Sequence, residues 1–370
     1  MTDMFFYGTL RHVPLLQQVL GRDDLDLRAA VLPDHQVLWA AGQSFPMIRA
    51  QAGGQAPGLL ARGLSDTDLA RLNFYEGAFV YDLRCSTVLC ADQRVQAQVY
   101  FPADDSWTPG APWDLAEWIA QWGRLSLFAA EEVMAHFGRV DPAQMAHDFT
   151  AIRQRAAARI AAEGRACDPD QDVAQDVVLH DMGFKALSWF GLVGADLQHR
   201  QYDGTMGPVI NRGGLWQGEA AVVLPYDPRR DTVLMVQQFR APVYMIGDPA
   251  PWMWEAVAGM VDPGETPDQT AHREAVEESQ VPLNHLEYAG GAYSSSGSST
   301  EFLHLFVGLT DLPDSGTIAG LETENEDIRS RILPFADLMD LVDTHKLKDL
   351  PLLTLANWLA RHRDRLRNMA

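Results

Sequence analysis

The chain has 370 residues, 47% hydrophobic and 21% charged, ordinary globular values that exclude a mostly disordered, collagenous or coiled-coil protein. At about 100–200 residues per domain, this length suggests two domains. Asp and Glu outnumber Lys and Arg by 50 to 29, a net charge of −21. A field of that sign repels phosphate backbones and anionic lipid, so neither nucleic acid nor a membrane surface is an expected partner. A phosphate ester remains an option when divalent cations bridge it to the protein, so metal ligands are worth seeking.

Three cysteines, Cys85, Cys90 and Cys167, make neither a disulfide framework nor a zinc spacing and read as idle thiols in a reducing compartment. The opening Met-Thr-Asp-Met-Phe-Phe-Tyr-Gly lacks a basic stretch and a long apolar run. No signal peptide and no membrane span are expected, and the expected location is cytoplasmic.

In chain order, residues 5–7 read as a short strand running into Gly8, and 11–20 as a helix closed by Gly21. Strand-like runs follow at 37–41, 84–89 and 95–101, separated by Pro- and Gly-rich turns. Residues 114–137 have helical apolar spacing, with Leu115, Trp118, Ile119 and Trp122 on one side. Asp141 followed by Pro142 marks the start of a helix running to about Glu163. The stretch 164–175 is polar and aperiodic, so the expected division is 1–163, a linker at 164–176, and 177–370. Beyond it, strands are expected at 219–224, 232–239, 252–257 and 301–309, a helix at 267–279, and two C-terminal helices, the last with Pro351 in its first turn.

The most informative stretch runs from Gly259 to Val281. Glu274, Glu277 and Glu278 stand at i, i+3 and i+4 and therefore share one helix face. Arg273 can pair with Glu277 at i+4, which leaves the face strongly negative. Divalent cations relieve that repulsion, and hard carboxylate oxygens suit Mg²⁺ or Mn²⁺. The pattern resembles the Nudix box, Gly-x5-Glu-x7-Arg-Glu-U-x-Glu-Glu-x-Gly-U, where U is a bulky aliphatic. Gly259, Glu265, Arg273, Glu274, Glu277, Glu278 and Val281 fall in place, Ala275 is small for its position, and Gln280 replaces the last Gly.

The resemblance continues on both sides of the box. Residues 251–260, including Glu255, Ala258 and Met260, are similar to the strand that enters the box in ADP-ribose pyrophosphatases, and 237–240 to the segment whose Arg, here Arg240, reaches substrate. Residues 320–329 resemble their acidic loop. Residues 294–301 resemble a Ser-Pro-Gly-x-x-x-Glu segment with Ser296 in the Pro position. The likeness covers about 180–366 and is nearest the tellurite-resistance-associated type.

That resemblance implies a Nudix α/β/α sandwich. It implies Mg²⁺, with Mn²⁺ as an alternative, held by Glu274, Glu277, Glu278, Glu326 and the Ala258 carbonyl. Glu324 or Glu326 orients or deprotonates the attacking water, and Glu278 belongs to the catalytic set. Arg240, Glu255 and Met260 contact the substrate, and ADP-ribose yields AMP and ribose 5-phosphate. A homodimer formed through this domain is also implied. Phe239, Trp252 and Trp254 read first as core aromatics, with base stacking as the other reading. Another nucleoside diphosphate sugar or a dinucleotide is the rival substrate.

Near the N-terminus, Phe6-Tyr7-Gly8-Thr9-Leu10 reads as a strand, a tight turn and a helix start. With the loop 43–47 and the segment 72–84, which carries Asn73, Glu76, Tyr81 and Arg84, it resembles the gamma-glutamylcyclotransferase family over about 4–105. That likeness implies a mixed β-barrel with helices, so the whole chain is expected to be α+β. Tyr7, Gly8, Thr9 and Leu10 would bind the substrate α-carboxylate. Glu76 would shuttle a proton as the α-amine attacks the γ-carbonyl to give 5-oxoproline. A lyase at Glu76 with the Nudix half as an ADP-ribose sensor is the remaining alternative.

Overall fold

Successive side chains of a strand point to opposite faces, and the first strand uses this to feed two cores. In the computed structural model, which describes residues 1–77, 81–103, 107–321 and 326–369, β1 (Thr2–Phe6) sends Phe5 to one core and Met4 and Phe6 to another. A 3-10 turn (Thr9–Arg11) and α1 (Val13–Leu20) follow, α1 ending at Gly21 with φ 71°. Next come β2 (Asp26–Ala40), β3 (Pro46–Leu64), α2 (Asp66–Glu76), β4 (Tyr81–Cys90), β5 (Gln93–Pro102) and β6 (Pro109–Pro112).

β1 pairs antiparallel with β3 and parallel with β5, placing Phe5 opposite both Leu60 and Val99. The order β3-β1-β5-β4-β2 closes on itself because β2 also pairs with β3, and β6 joins β2 outside the ring. The result is a closed, mixed five-stranded barrel filled by Phe5, Leu32, Leu60, Val99 and their neighbours, and closure removes the exposed edges that would invite aggregation. Gly58 is required inside it, because a Cβ there would overlap the Phe5 ring.

The helices cover the outside of the barrel over Met4, Phe6, Leu15, Leu72 and Trp118. The helix expected at 114–137 is broken into α3 (Leu115–Trp118), a π-helical turn (Ile119–Gly123) and α4 (Arg124–Ala135). α5 (Pro142–Glu163) starts where expected, with the Asp141 carboxylate accepting from the Ala143 N–H at 2.8 Å. A buried ion pair, Arg155 Nη2 to Glu132 Oε1 at 2.6 Å, joins α5 to α4.

The polar stretch contains only the short α6 (Val173–Asp176). After it, β7 (Val177–Leu187), β8 (Gly191–His199) and β9 (Ile210–Trp216) form a three-stranded sheet. Arg139 donates to the carbonyls of Phe184 and Lys185 at 3.2 and 2.9 Å, and Arg155 donates to that of Trp189 at 3.2 Å. The chain therefore packs as two units, Met1–Gly213 and Gly214–Ala370. This division and the sequence-based one differ in where they put residues 177–213, because Arg139, between α4 and α5, and Arg155 of α5 fasten that segment.

The second unit holds β10 (Glu219–Asp227), β11 (Thr232–Phe239), α7 (Ala241–Met245), β12 (Trp252–Glu255), β13 (Val257–Met260) and α8 (Pro267–Ser279). It continues with β14 (His285–Tyr293), β15 (Phe302–Leu309), β16 (Ile318–Ala319), β17 (Ile328–Pro334), α9 (Phe335–Asp343) and α10 (Leu350–Arg367). The sheet runs β14-β15-β10-β11-β17-β16, with β12 on β11 and β13 on β10. The strand expected at 252–257 is thus split between two partners. β10 is buried along its whole length. Its Ala221 and Val223 pack under α8, while Val222, Leu224 and Tyr226 pack under α9 and α10. That is the expected α/β/α sandwich. Among the described residues no helix is long and apolar enough to cross a membrane.

The β10–β11 turn is held by one buried carboxylate. Asp227 accepts from the Arg229 and Arg230 N–H groups at 3.0 Å each, from Arg230 Nε at 2.7 Å and from the Leu312 N–H at 3.3 Å. Burial works against its charge, and these bonds outweigh burial and hold the carboxyl below its ordinary value. A depressed folded pKa gives stability that is present above the unfolded value near 3.8 and lost as pH falls through the folded value. Asp227→Asn is expected to cost about 1–3 kcal/mol at neutral pH. In thermal melts the wild-type advantage should shrink as pH falls below the ordinary Asp value of 3.8.

Candidate functional site

α8 begins with a capping box. The Thr266 hydroxyl accepts from the Gln269 N–H, and the Gln269 side chain accepts from the Thr266 N–H at 2.8 Å. Pro267 fits the first helical position, where the missing N–H costs nothing. At the other end Gln280 takes the Gly position of the box in a left-handed conformation, φ 57°. Its N–H and that of Val281 bond back to Val276 and Ala275 at 2.9 and 3.1 Å. The departure from Gly costs backbone strain of about 1 kcal/mol and leaves the helix end in place.

Arg273 is the tie of the site. Its guanidinium donates to Glu265 (3.0 Å), Glu274 (2.6 Å), Glu277 (2.9 Å) and the Met260 carbonyl (3.2 Å). Thr270 Oγ1 also donates to Glu265, at 2.9 Å. Burial disfavours charge on Glu265, and the bonds from Arg273 and Thr270 outweigh burial and keep its carboxyl below the ordinary range. Glu265 is thus an anchor for Arg273, joining the loop before α8 to the helix and to β13.

Glu278 is 2% exposed. It accepts from the Ala258 N–H at 3.1 Å and from Gln238 Nε2 at 3.4 Å. Burial first, then the charges of Glu274 and Glu326, push its carboxyl up to about 8. Glu274 is pushed up to about 7, by burial first and then by Glu277 and Glu326, against the opposing pull of Arg273. Glu274, Glu278 and Glu326 therefore lie within electrostatic reach of one another. Glu326 is brought in by the loop after β16, where Gly320, φ 107°, donates its N–H to the Glu277 carbonyl at 3.3 Å. The Glu326 carboxylate accepts from the Leu321 N–H at 3.3 Å. Glu324 lies outside the described residues.

Gly259 completes the packing, since a Cβ there would overlap the Glu274 carboxylate. The mutually repelling carboxylates of buried Glu278 and of half-buried Glu274, which lies against the bare Gly259, are hard oxygen donors of the kind Mg²⁺ or Mn²⁺ takes, so the residues fit a divalent cation. Among the described residues, no three acids, histidines or cysteines are placed as a closed ligand set; Arg273 bonds Glu274 and Glu277.

Beside this face, Arg240 makes a two-pronged bond to Glu255, at 2.9 and 2.6 Å. Burial lowers the guanidinium pKa, and Glu255 outweighs it and raises it. Phe239 and Trp252 stack edge to face at 5.4 Å and stand on the surface, 45% and 62% exposed. Trp254 packs on the core, with Arg329 over its ring at 5.4 Å. Sequence reasoning missed Asp349. Its carboxylate caps α10 by accepting from the Leu352 N–H at 2.8 Å. Burial first, and then Glu255, raise it to about 6. Its one signal was an Asp two residues before Pro351.

The first unit has a pocket of its own, about 780 Å³ with its mouth included, lined by Tyr7, Gly8, Thr9, Leu10 and Glu76. All five N-terminal candidates meet there. Arg11 donates its N–H to the Gly8 carbonyl at 3.0 Å and closes the turn. Ser44, Phe45 and Pro46 from the loop expected to approach this turn line the pocket too, as do Tyr75, Tyr81 and Tyr100. Tyr100 donates to Asn73 at 2.6 Å, so Asn73 positions a tyrosine. Glu76 opens onto the cavity while protein surrounds it closely, and that desolvation pushes its carboxyl up to about 8. A carboxyl near neutrality can both accept and release a proton at working pH.

The match to known proteins follows the same division. Residues 216–355 match the model of the NUDIX domain, and residues 4–119 match that of the gamma-glutamyl cyclotransferase, AIG2-like family. The ADP-ribose pyrophosphatase of Escherichia coli (strain K12) is 33% identical over 171 residues, 46% of this chain and 81% of its own. That of Haemophilus influenzae is 35% identical over 147 residues, 39% and 68% of the two chains. The GDP-mannose pyrophosphatase of Pectobacterium atrosepticum is 33% identical over 135 residues, 36% and 68%. The box, its capped helix, its glycine and these relatives agree: the chain belongs to the Nudix family, a hydrolase of nucleoside diphosphate compounds whose Nudix domain follows an N-terminal gamma-glutamyl cyclotransferase, AIG2-like domain.

Proposed function

We propose that the Nudix domain hydrolyses ADP-ribose to AMP and ribose 5-phosphate with Mg²⁺. The observation that carries this reading is the pair Glu274 and Glu278, whose carboxyls burial and the nearby Glu326 charge push up, with Glu274 beside a glycine that admits no side chain. Glu274, Glu277, Glu278, Glu326 and the Ala258 carbonyl would hold the ion. When bound, the cation screens the diphosphate charge and makes an attacking water more acidic. Glu326 or Glu324 takes the proton of that water as its oxygen bonds to one phosphorus. The bridging P–O bond breaks, and the bridging oxygen leaves with the other phosphate. Arg240, oriented by Glu255, contacts the substrate together with Met260. Arg273 keeps the helix, the loop and β13 in register.

The relatives include both ADP-ribose and GDP-mannose pyrophosphatases, so the substrate test sets one against the other. With Mg²⁺, kcat/KM for ADP-ribose should exceed that for GDP-mannose by at least about 10-fold. The reverse order would overturn the substrate and leave the hydrolase.

A second reading concerns the first unit, and the Glu76 pocket supports it. There the α-amine of a γ-glutamyl amide attacks its own γ-carbonyl carbon. The new C–N bond closes 5-oxoproline as the old amide C–N bond breaks. Glu76 takes the proton from the amine and returns it to the leaving amine.

A further inference from the structure

The loop that brings Glu326 to α8 is fixed at both of its roots. At the first root the Gly320 N–H bonds the Glu277 carbonyl at 3.3 Å, and a Cβ on Gly320 would stand 2.9 Å from that of Glu326. At the second root Arg329, exposed on β17, reaches across two strands. Its Nε donates to Gln237 Oε1 of β11 at 2.7 Å, and its guanidinium lies over the Trp254 ring of β12 at 5.4 Å. Gln237 Nε2 in turn donates to the Trp252 carbonyl at 3.2 Å. Arg329, Gln237 and Trp254 stand in one row, because Gln237 is the register partner of both the others.

We propose that Arg329 is a positioning residue for Glu326: it locks the register of β17 at the end of the strand next to the site, and so sets where the Glu326 carboxylate meets Glu274 and Glu278. This rests on the reading of Glu326 as a metal ligand and adds what holds it there.

Alternation along the strand supplies the reason. Ile328 is fully buried beneath α8, in the cluster that holds Val236, Ala271 and Ala275. Arg329 points to the other face, where Trp254 packs on the core under α9 and α10. Glu326 stands two residues before Ile328. A slip of one residue would exchange the two faces and carry Glu326 away from α8. The outer neighbour resists such a slip weakly, since β16 is two residues long and its Ile318 is 73% exposed. Resistance therefore comes from the β11 side, where the row ties three strands together by their side chains. A guanidinium suits this place because it can donate in its plane and lie on an aromatic ring at once.

The test is Mn²⁺ binding to the full chain, followed by electron paramagnetic resonance of the free ion with no substrate present. Arg329→Ala should weaken binding at least about 10-fold, and Arg329→Lys, which keeps a cation over Trp254, should recover part of the loss. Gln237→Leu breaks the same row from β11 and should weaken binding likewise. Glu326→Gln removes the ligand itself, and in that background Arg329→Ala should change the affinity by less than about 2-fold. Circular dichroism melts of each variant establish that it is folded. Equal losses in the two backgrounds, binding indifferent to Arg329→Ala, or no binding by the wild type would overturn the proposal. Hydrolysis of ADP-ribose with Mg²⁺ is scored separately. There Arg329→Ala should lower kcat at least about 10-fold and leave KM within about 2-fold. A raised KM with unchanged kcat would make Arg329 a substrate contact and overturn its role as a positioning residue. A chain that binds Mn²⁺ as expected and leaves ADP-ribose intact would sink the substrate reading and leave the role of Arg329 standing.

Discussion

Replacing Glu278 by Gln is expected to lower kcat for ADP-ribose by about 10²-fold or more while the melting temperature stays close to that of the wild type. The substitution keeps the side-chain volume and one acceptor oxygen and removes the charge. Glu278 is buried, and its only described donors are the Ala258 N–H and the Gln238 amide. Among the described residues no cation pairs with it directly, and burial and the charges of Glu274 and Glu326 outweigh the favourable charge of Arg240, so its charge is not there for stability. Under the proposed function this carboxylate would serve an ion brought from outside. The fold without that charge should be as stable as before, or more so. Steady-state kinetics with Mg²⁺, read beside a thermal melt, separate the two effects, and near-wild-type turnover would remove Glu278 from the metal set.

The second large effect is expected at Gly259. A single methyl there would overlap the Glu274 carboxylate, and Glu274 cannot simply swing aside, because Arg273 holds it at 2.6 Å. In Gly259→Ala either the β13 backbone shifts or the carboxylate leaves its position. Displacement of a ligand by about 1 Å is enough to cost roughly 10²-fold in rate. The expected outcome is a fall in kcat of that order with only a modest loss of stability, since β13 still pairs with β10 through Val257 and Ala258. Activity close to wild type would mean that Glu274 is not held to a fixed position.

What could be read from the sequence was what local chemistry decides. α8 and β11 run over the residues expected of them, Pro267–Ser279 and Thr232–Phe239. A capping box, a Pro at the first helical position and an alternating apolar run are each complete within a dozen residues. The barrel was harder. β3 spans Pro46–Leu64 and contains Gly53, Gly54, Pro57 and Gly58, all of which read as turn residues. It is a strand because β2 pairs with it from Asp26 to Trp39 and β1 pairs with its other edge. β14 and β17 were missed for a similar reason: their partners β15 and β11, not their own composition, make them strands.

The sites divide in the same way. The Nudix carboxylates share a helix, so their spacing announces them. Glu76 and the turn at Gly8 could be found because each sits in a short pattern. Asp349 carries no pattern, since one helix cap looks ordinary until the fold buries it within electrostatic reach of Glu255 and Arg240. The interruption of the long helix at Gly123 was also invisible locally. A buried glycine whose added Cβ would meet the Ile119 side chain at 3.3 Å is a statement about close packing, and periodicity alone says nothing of it.

The central claim is that this chain splits the diphosphate of ADP-ribose, and identification of the products tests it most directly. ³¹P NMR of the full-length protein with ADP-ribose and Mg²⁺ should show the diphosphate resonances replaced by two phosphomonoester signals in equal amount, AMP and ribose 5-phosphate. An unchanged diphosphate, or release of inorganic phosphate in place of the two monoesters, would contradict it.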